Sequence, residues 1–303
     1  MNDFAIAYRP YPPPRSPYVM HQSWHNLLFM HWRVPTDALR RAVPAELPID
    51  TFQGESYIGI VPFMMRNVRP RYLPALPWLS FFPELNVRTY VTLDERPGIY
   101  FFSLDAAKPL AVEFARAFFH LPYQNATMEC TLENQRVHYA STRTDTRAAP
   151  AYFRATYRPT SAPFIPARGS LEYFLTARYC LYTTDARGNV LRAEIHHRPW
   201  YLQDAEAEIE TNTMMEQIDV KLPNEPPLLH YSEAISMVTW LPIRRTNLLI
   251  CPTNAIMRQV ERLFQFLPAR KFAMSLRLCA FACAEWSVAH GYYRLCRRRS
   301  ANR

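Results

Sequence analysis

Glycine is scarce, with 6 in 303 residues, and neither GxGxxG nor GxxxxGK[ST] occurs. Loops that cradle phosphate need glycine where backbone must approach the anion, so dinucleotide-driven and P-loop chemistry have no support. GxSxG is missing too, and no serine or cysteine stands in a nucleophile elbow. Lysine numbers 3 against 32 arginines, and Lys108 is the only lysine in the first 220 residues. A bias this uniform reads as codon composition rather than as 32 recruited anion sites. Six cysteines in so long a chain make no disulfide framework, and residues 1–20 lack an apolar run ahead of a small-residue cleavage site. The expectation is a reducing, cytoplasmic compartment. Phe272 to Gly291 is interrupted by Arg277 and Glu285 and falls short of the roughly 20 apolar residues a membrane span requires.

What remains is a globular composition, 49% hydrophobic and 20% charged, with 27 prolines punctuating aromatic and β-branched runs. The length allows one large domain or two small ones. The net charge of +9 is not spread evenly: residues 243–303 hold twelve basic residues against Glu261 and Glu285, and the body is close to neutral. Three regions follow: a Pro-rich leader at 1–20, a domain at 21–242 and a basic helical extension at 243–303. The leader RPYPPPRSPY reads as an extended strap over the domain surface.

In the body, runs such as NLLFMHWRV, SYIGIVPFMM, NVRTYVTL, GIYFFSL, RVHYAST and VLRAEIHHR read as strands. Asp94 to Gly98 and Asp185 to Gly188 mark hairpin turns. Helices are expected at DALRRAV after Thr36, at PLAVEFARAFF from Pro109, and from Asp204 to Met215 with Glu206, Glu208 and Glu210. In the extension, Ile256, Met257, Val260, Leu263, Phe264 and Leu267 share one helical face, and a second helix is expected from Lys271 to about Ala289. The fold class is α+β and β-rich, with a C-terminal helical tail.

FPELNVRTYV carries the densest polar pattern. Glu84, Asn86 and Arg88 stand at i, i+2 and i+4, one face of a strand, with Leu85, Val87 and Thr89 on the other. An interior carboxylate beside a guanidinium can act as a base or an orienting group, or the two can form a structural ion pair. His21, His25 and His31 are too loosely spaced on a strand to specify a metal. Cys279, Cys283, His290 and Cys296 are far from zinc spacing and read as buried helical cysteines with a solvated tail. His196 and His197 are adjacent, so at most one can share a rim with Arg178. RLCRRRS reads as a solvated terminus rather than a nucleic-acid or membrane-surface contact. No metal and no cofactor is expected.

The pieces WHNLLFMHWRVPTDALRRAVPAELPIDTFQGESYIGIVPF, FFPELNVRTYV, GIYFFSLDA, LPYQNA, and YFLTARYCLYT through HHRPWYLQDAEAEI together resemble the YqjF-like bacterial family of the acetoacetate decarboxylase-like superfamily. The likeness runs in order from about residue 21 to 242. It implies an antiparallel, cone-shaped β-barrel with helices packed around it and a small-molecule cavity inside. It also implies homo-oligomers.

The decarboxylase works through a Schiff-base lysine beside a second lysine. The resemblance places Tyr123 and Gln124 at that pair, and neither can form an imine. It retains Glu84 as an active-site acid, sets His25 where an arginine meets the substrate carboxylate, and sets Tyr57 at a second glutamate. Arg116 keeps a family arginine, as an anchor for a carboxylate or for strand carbonyls. The resulting expectation is a barrel that binds a small organic carboxylate or carbonyl compound. Glu84 is the candidate acid/base for lyase- or isomerase-like chemistry, with His25, Tyr57, Asn86, Arg88, Arg116 and Tyr123 contacting the substrate. The alternative is a non-catalytic sensing or partner-binding module acting through barrel and tail.

Overall fold

The structure is a computed structural model, and it describes residues 3–244 apart from residue 217. The expected helical extension and its cysteine and histidine positions lie outside the described residues. Sixteen elements follow one another: α1 (Asp3–Tyr8), β1 (Met20–Val34), α2 (Thr36–Ala42), β2 (Ser56–Pro70), β3 (Phe82–Leu93), β4 (Arg96–Ala106), α3 (Pro109–Phe119), β5 (Tyr123–Glu133), β6 (Arg136–Arg143), β7 (Tyr152–Pro159), α4 (Leu171–Thr176), β8 (Cys180–Thr184), β9 (Val190–His197), β10 (Gln203–Asn212), β11 (Leu228–Thr239) and β12 (Ile243–Arg244).

Strand pairing runs β12-β9-β8-β4-β3-β2-β1-β11-β10-β7-β6-β5, and two further pairings close it. β4 pairs with β5, which makes a closed barrel of nine strands; β9 pairs with β11, which closes a second circuit of seven. β1 to β4 and β11 belong to both, so each face of these long strands lines a different interior. Closure removes the free edges that so many apolar strands would otherwise expose.

Local chemistry sets the connections. The β3–β4 hairpin turns at Asp94 and Glu95, both with φ near +50° to +60°, as a tight turn matched to strand twist requires. The β8–β9 turn is held by the Asp185 carboxylate, which accepts from the backbone N–H of Arg187 and Asn189. Pro109 opens α3 at its first turn, where its missing N–H has no helical partner to lose.

The expected helix from Asp204 to Met215 is instead strand β10. Its exposure alternates residue by residue, with Glu206, Glu208 and Glu210 outward and Ala205, Ala207 and Ile209 packed on the core. Glutamates at i, i+2 and i+4 carry the strand period, and that period outweighs the helix propensity of Ala and Glu.

The leader begins with α1 and then crosses β8 and β9 in irregular conformation. Its Arg9 side chain is fully buried and reaches the Ile195 carbonyl at 2.5 Å and Glu194 at 2.5 Å. Glu194 also meets Arg96 at 2.9 Å and Arg192 at 3.1 Å.

Candidate functional site

β3 is the wall shared by the two interiors. Leu85 and Val87 face the nine-strand barrel and pack with Tyr139 of β6 and Phe153 of β7. Glu84, Asn86, Arg88 and Tyr90 face the seven-strand circuit, and none is more than 2% exposed. A strand advances ~6.6 Å every two residues, so one face presents an acid, an amide, a guanidinium and a phenol in a row about 20 Å long.

At one end of the row, the Tyr123 hydroxyl from β5 donates to Glu84 Oε2 at 2.9 Å. Burial raises the Glu84 pKa to about 8; the Tyr123 hydrogen bond works against this, and the nearby Asp105 adds to it. Glu84 is therefore mostly protonated at pH 7 and can donate a proton. The Tyr123 phenol is pushed well up by burial and by Glu84 and stays neutral.

At the other end, His31 of β1 places Nε2 2.6 Å from the Tyr90 hydroxyl. Burial and the Arg88 charge hold the His31 pKa well below its usual value, so the imidazole is neutral. Arg178 lies over the Tyr90 and Phe174 rings and pairs with Asp50 at 2.5 Å.

Between the ends, the Arg88 guanidinium sits 5.3 Å from the Phe29 ring centroid and 5.9 Å from that of Tyr90. Among the described residues no carboxylate lies within ion-pair distance of it. Arg88 Nε, Asn86 Oδ1 and His31 Nδ1 are buried without a hydrogen-bond partner among the described residues. Gly59 of β2 lies between His31 and Arg88: a Cβ there would fall 3.1 Å from His31 Cδ2 and Nε2 and 3.4 Å from Arg88 Cγ.

The structure therefore brings Glu84, Asn86, Arg88 and Tyr123 to one interior. Tyr57 lies nearby, buried with its ring 6.1 Å from that of Phe174. Gln124 turns the other way along β5, so the two positions matched to the lysine pair serve different interiors. Arg116 contacts no group of the row. Its Nη1 donates to the Tyr123 carbonyl at 2.7 Å and so positions that strand end.

The expectation for His25 is corrected. Asn26 has φ +53°, and the β1–β2 register shifts between His25 and Met30. This bulge turns Trp24 inward, 4.9 Å from Phe63 and 6.1 Å from Trp200, and leaves His25 beside Arg66 and Glu233.

His197 is also fixed structurally. Its ring nitrogens meet the carbonyls of Arg198 at 2.6 Å and Arg178 at 3.2 Å, and it stacks on Tyr179. Among the described residues no three His, Cys, Asp or Glu are placed to hold a metal ion.

His31 and Tyr90 are site residues that sequence reasoning missed, and Arg178, expected only at a rim with His196 or His197, lies over the Tyr90 ring. Tyr90 had a signal, because it continues the i, i+2, i+4 series of Glu84. His31 depends on cross-strand register, which no local pattern reports.

Comparison with known proteins places the chain. Residues 21–236 match the model of DUF2071, a family described as an uncharacterized conserved protein. Uncharacterized protein YqjF of Bacillus subtilis (strain 168) is 47% identical over 232 residues, which is 77% of this chain and 94% of that protein. Among solved structures, the enduracididine biosynthesis enzyme MppR complexed with pyruvate superposes with a TM-score of 0.53 at 11% identity, over 76% of this chain and 91% of that one. An acetoacetate decarboxylase gives 0.51 at 14% identity, over 82% and 100%. An acetoacetate decarboxylase-like enzyme from Sphingomonas wittichii RW1 gives 0.52 at 12% identity, over 78% and 98%. The chain belongs to the DUF2071, YqjF-like family, and its fold is acetoacetate decarboxylase-like.

Proposed function

We propose that this member of the YqjF-like family binds a small organic carboxylate inside the seven-strand circuit, with Arg88 as the anchor for its negative charge. The observation that carries the reading is an arginine 2% exposed whose guanidinium has no carboxylate partner among the described residues. A buried charge without a counter-ion is costly to keep, and a bound anion would offset that cost. The fold supports the same reading, since MppR, which shares it, is described in complex with pyruvate, a small carboxylate.

Glu84 and Tyr123 supply the acid/base pair beyond the anchor. Four residue steps along the strand, about 13 Å, take Glu84 to Arg88, which leaves the two side chains to flank a ligand of a few carbons. A protonated Glu84 can give its proton to a developing carbanion or enolate and take one back. That is proton chemistry of the lyase or isomerase type, and imine formation has no place in it because Tyr123 and Gln124 stand at the lysine positions. The same absence favours a second reading, a sensor that binds the carboxylate without turnover.

A thermal-shift series of small carboxylates on the wild type, Glu84→Gln and Arg88→Met tests the proposal. Ligand at about 100 times its dissociation constant adds roughly 2.7 kcal/mol of stability. The expected result is a shift in the wild type that Arg88→Met abolishes. Equal shifts in both proteins would sink the anchor. Glu84→Gln separates the two readings: an enzyme loses turnover while keeping the shift, and a sensor shows no turnover in either protein.

A further inference from the structure

The connection from β2 to β3, residues 71–81, reads RYLPALPWLSF, and none of its residues belongs to an apolar cluster of the core. It leaves Tyr72, Leu76 and Trp78 58%, 40% and 61% exposed, and Trp78 is the most exposed large apolar side chain among the described residues. Single exposed apolar residues are ordinary on any surface, but three within seven positions of one loop call for something to cover them.

The loop is built to hold them out. The backbone N–H groups of Leu79 and Ser80 both donate to the Leu76 carbonyl, at 3.0 and 2.8 Å. The Ser80 hydroxyl accepts from the Leu76 N–H at 2.8 Å, which closes a turn with Trp78 at its centre. Val68 N–H donates to the Ser80 carbonyl at 3.3 Å and ties this turn back to β2. Pro70, Pro74 and Pro77 fix φ along the way, so little conformational freedom is left to lose on docking.

The charge around the loop has one sign. Arg71 lies 4.5 Å from the Tyr18 ring centroid and 5.1 Å from that of Tyr72. Its backbone N–H donates to the Val19 carbonyl at 2.9 Å, which sets the end of the leader beside the loop. Arg15, three residues before Tyr18, is exposed. Among the described residues, none of Arg15, Arg69 and Arg71 forms an ion pair with a carboxylate. Neither contributing stretch offers one, because residues 4–36 and 56–83 contain no Asp or Glu.

We infer that this loop docks the protein on an anionic lipid bilayer, with Tyr72, Leu76 and Trp78 entering the boundary between headgroups and acyl chains and Arg15, Arg69 and Arg71 meeting lipid phosphates. Trp and Tyr favour that boundary because each ring is largely apolar and carries one polar edge. Basic residues close to an anionic leaflet add an attraction that salt screens. A second copy of the chain suits the loop less well. About a two-fold axis it sets the arginines of one loop against those of the other. On the outward face of β10, Glu206 and Glu210 are already paired with Arg136, Arg158 and Arg154. The carboxylate site plays no part in this inference.

Co-sedimentation of the full chain with vesicles tests it, using phosphatidylcholine alone and an equal mixture with phosphatidylglycerol. The wild type should sediment with the mixed vesicles, stay in solution with phosphatidylcholine alone, and be released as salt is raised. Arg69→Gln combined with Arg71→Gln should weaken the association about 25-fold, roughly fivefold for each arginine. Leu76→Ser combined with Trp78→Ser should weaken it about tenfold or more. These side chains are exposed, so Tm should stay within about 2 °C of the wild type, and lost binding is then not lost folding. A wild type that ignores the mixed vesicles overturns the inference. So does an association that survives both double variants, which would put the attraction on the basic residues of 243–303. A wild-type dimer in light scattering that Leu76→Ser with Trp78→Ser dissociates also overturns it, because a second copy then covers the loop.

Discussion

The two interiors of the sheet treat buried charge in opposite ways. Inside the nine-strand barrel, Asp105 and Arg143 are both fully buried and paired at 2.8 Å. Arg143 also reaches the Ser103 hydroxyl at 3.2 Å and the Ala149 carbonyl at 3.2 Å. The same interior holds the apolar cluster contributed by β1, β2, β3, β6 and β7. Inside the seven-strand circuit, Arg88 is as deeply buried and faces aromatic rings, with orphaned polar atoms on either side. One strand wall supports both arrangements, so burial alone does not separate a structural charge from a functional one. The partner list does. A charge whose hydrogen-bonding capacity is met inside the chain is part of the scaffold, and a charge left open is available to something else.

The largest expected effect tests that division directly. Arg143→Met strands Asp105 in an apolar interior and should cost about 3–5 kcal/mol, or roughly 2–4 °C in Tm per kcal/mol. Arg88→Met strands no anion and should change stability by less than about 1 kcal/mol, while removing carboxylate binding. Denaturant titration of the two variants side by side is the measurement. Equal losses would erase the distinction between the interiors.

Next in size is a pH effect within the seven-strand circuit. The Glu84 pKa is raised from 4.5 to about 8 in the folded state, with burial the leading cause. Below 4.5 the carboxyl is protonated whether the chain is folded or not, and it contributes no pH dependence. As pH climbs from 4.5 towards 8, the unfolded chain releases this proton and the folded chain keeps it. Stability therefore falls by about 1.36 kcal/mol per unit, and by about 3 kcal/mol at pH 7. Glu84→Gln removes the titration. Its stability relative to wild type should rise steadily across that window and level off above it, as read from denaturation midpoints at several pH values. A flat difference would mean that Glu84 ionises normally and is not the buried acid of the site.

A third effect sharpens the boundary between scaffold and site. Gly59→Ala places a methyl group 3.1 Å from the His31 ring and 3.4 Å from Arg88 Cγ. Overpacking of this kind costs about 1–3 kcal/mol. It should also displace the Arg88 side chain, the proposed anchor, so carboxylate affinity should fall further than stability does. Ligand affinity unchanged in a variant that still folds would remove Gly59 from the site.

Much of the scaffold was legible in the sequence because it depends on local patterns. Alternation in NVRTYVTL and GIYFFSL, the turn residues Asp94 and Asp185, and Pro109 at the head of α3 each act within a few residues. β10 was misread because its alanines and glutamates favour a helix by propensity, although their spacing is that of a strand. In the site, Glu84, Asn86 and Arg88 could be found because one strand face carries all three. His31 could not, since its place opposite Gly59 depends on how β1 registers with β2. His25 was misplaced because one residue, Asn26 at φ +53°, reverses which side chains point inward. The bulge inserts no unusual composition, so alternation counted along the strand passes straight through it.

The smallest effect concerns the leader, where a buried arginine is paired but shares its partner. Arg9 is fully buried against Glu194, as Arg143 is against Asp105. Glu194 differs in keeping Arg96 at 2.9 Å and Arg192 at 3.1 Å when Arg9 is taken away. Arg9→Ala therefore leaves no carboxylate unpaired, and what it forfeits is the hydrogen bonding of Arg9 itself, including that to the Ile195 carbonyl. The expected loss is about 1–2 kcal/mol, below that of Arg143→Met, although the two side chains are equally hidden from solvent. If the two losses match, Glu194 depends on Arg9 despite its other partners, and the leader is as much a part of the scaffold as the barrel pair. If Arg9→Ala is the milder, the cost of removing a buried charge is set by what its partner has left.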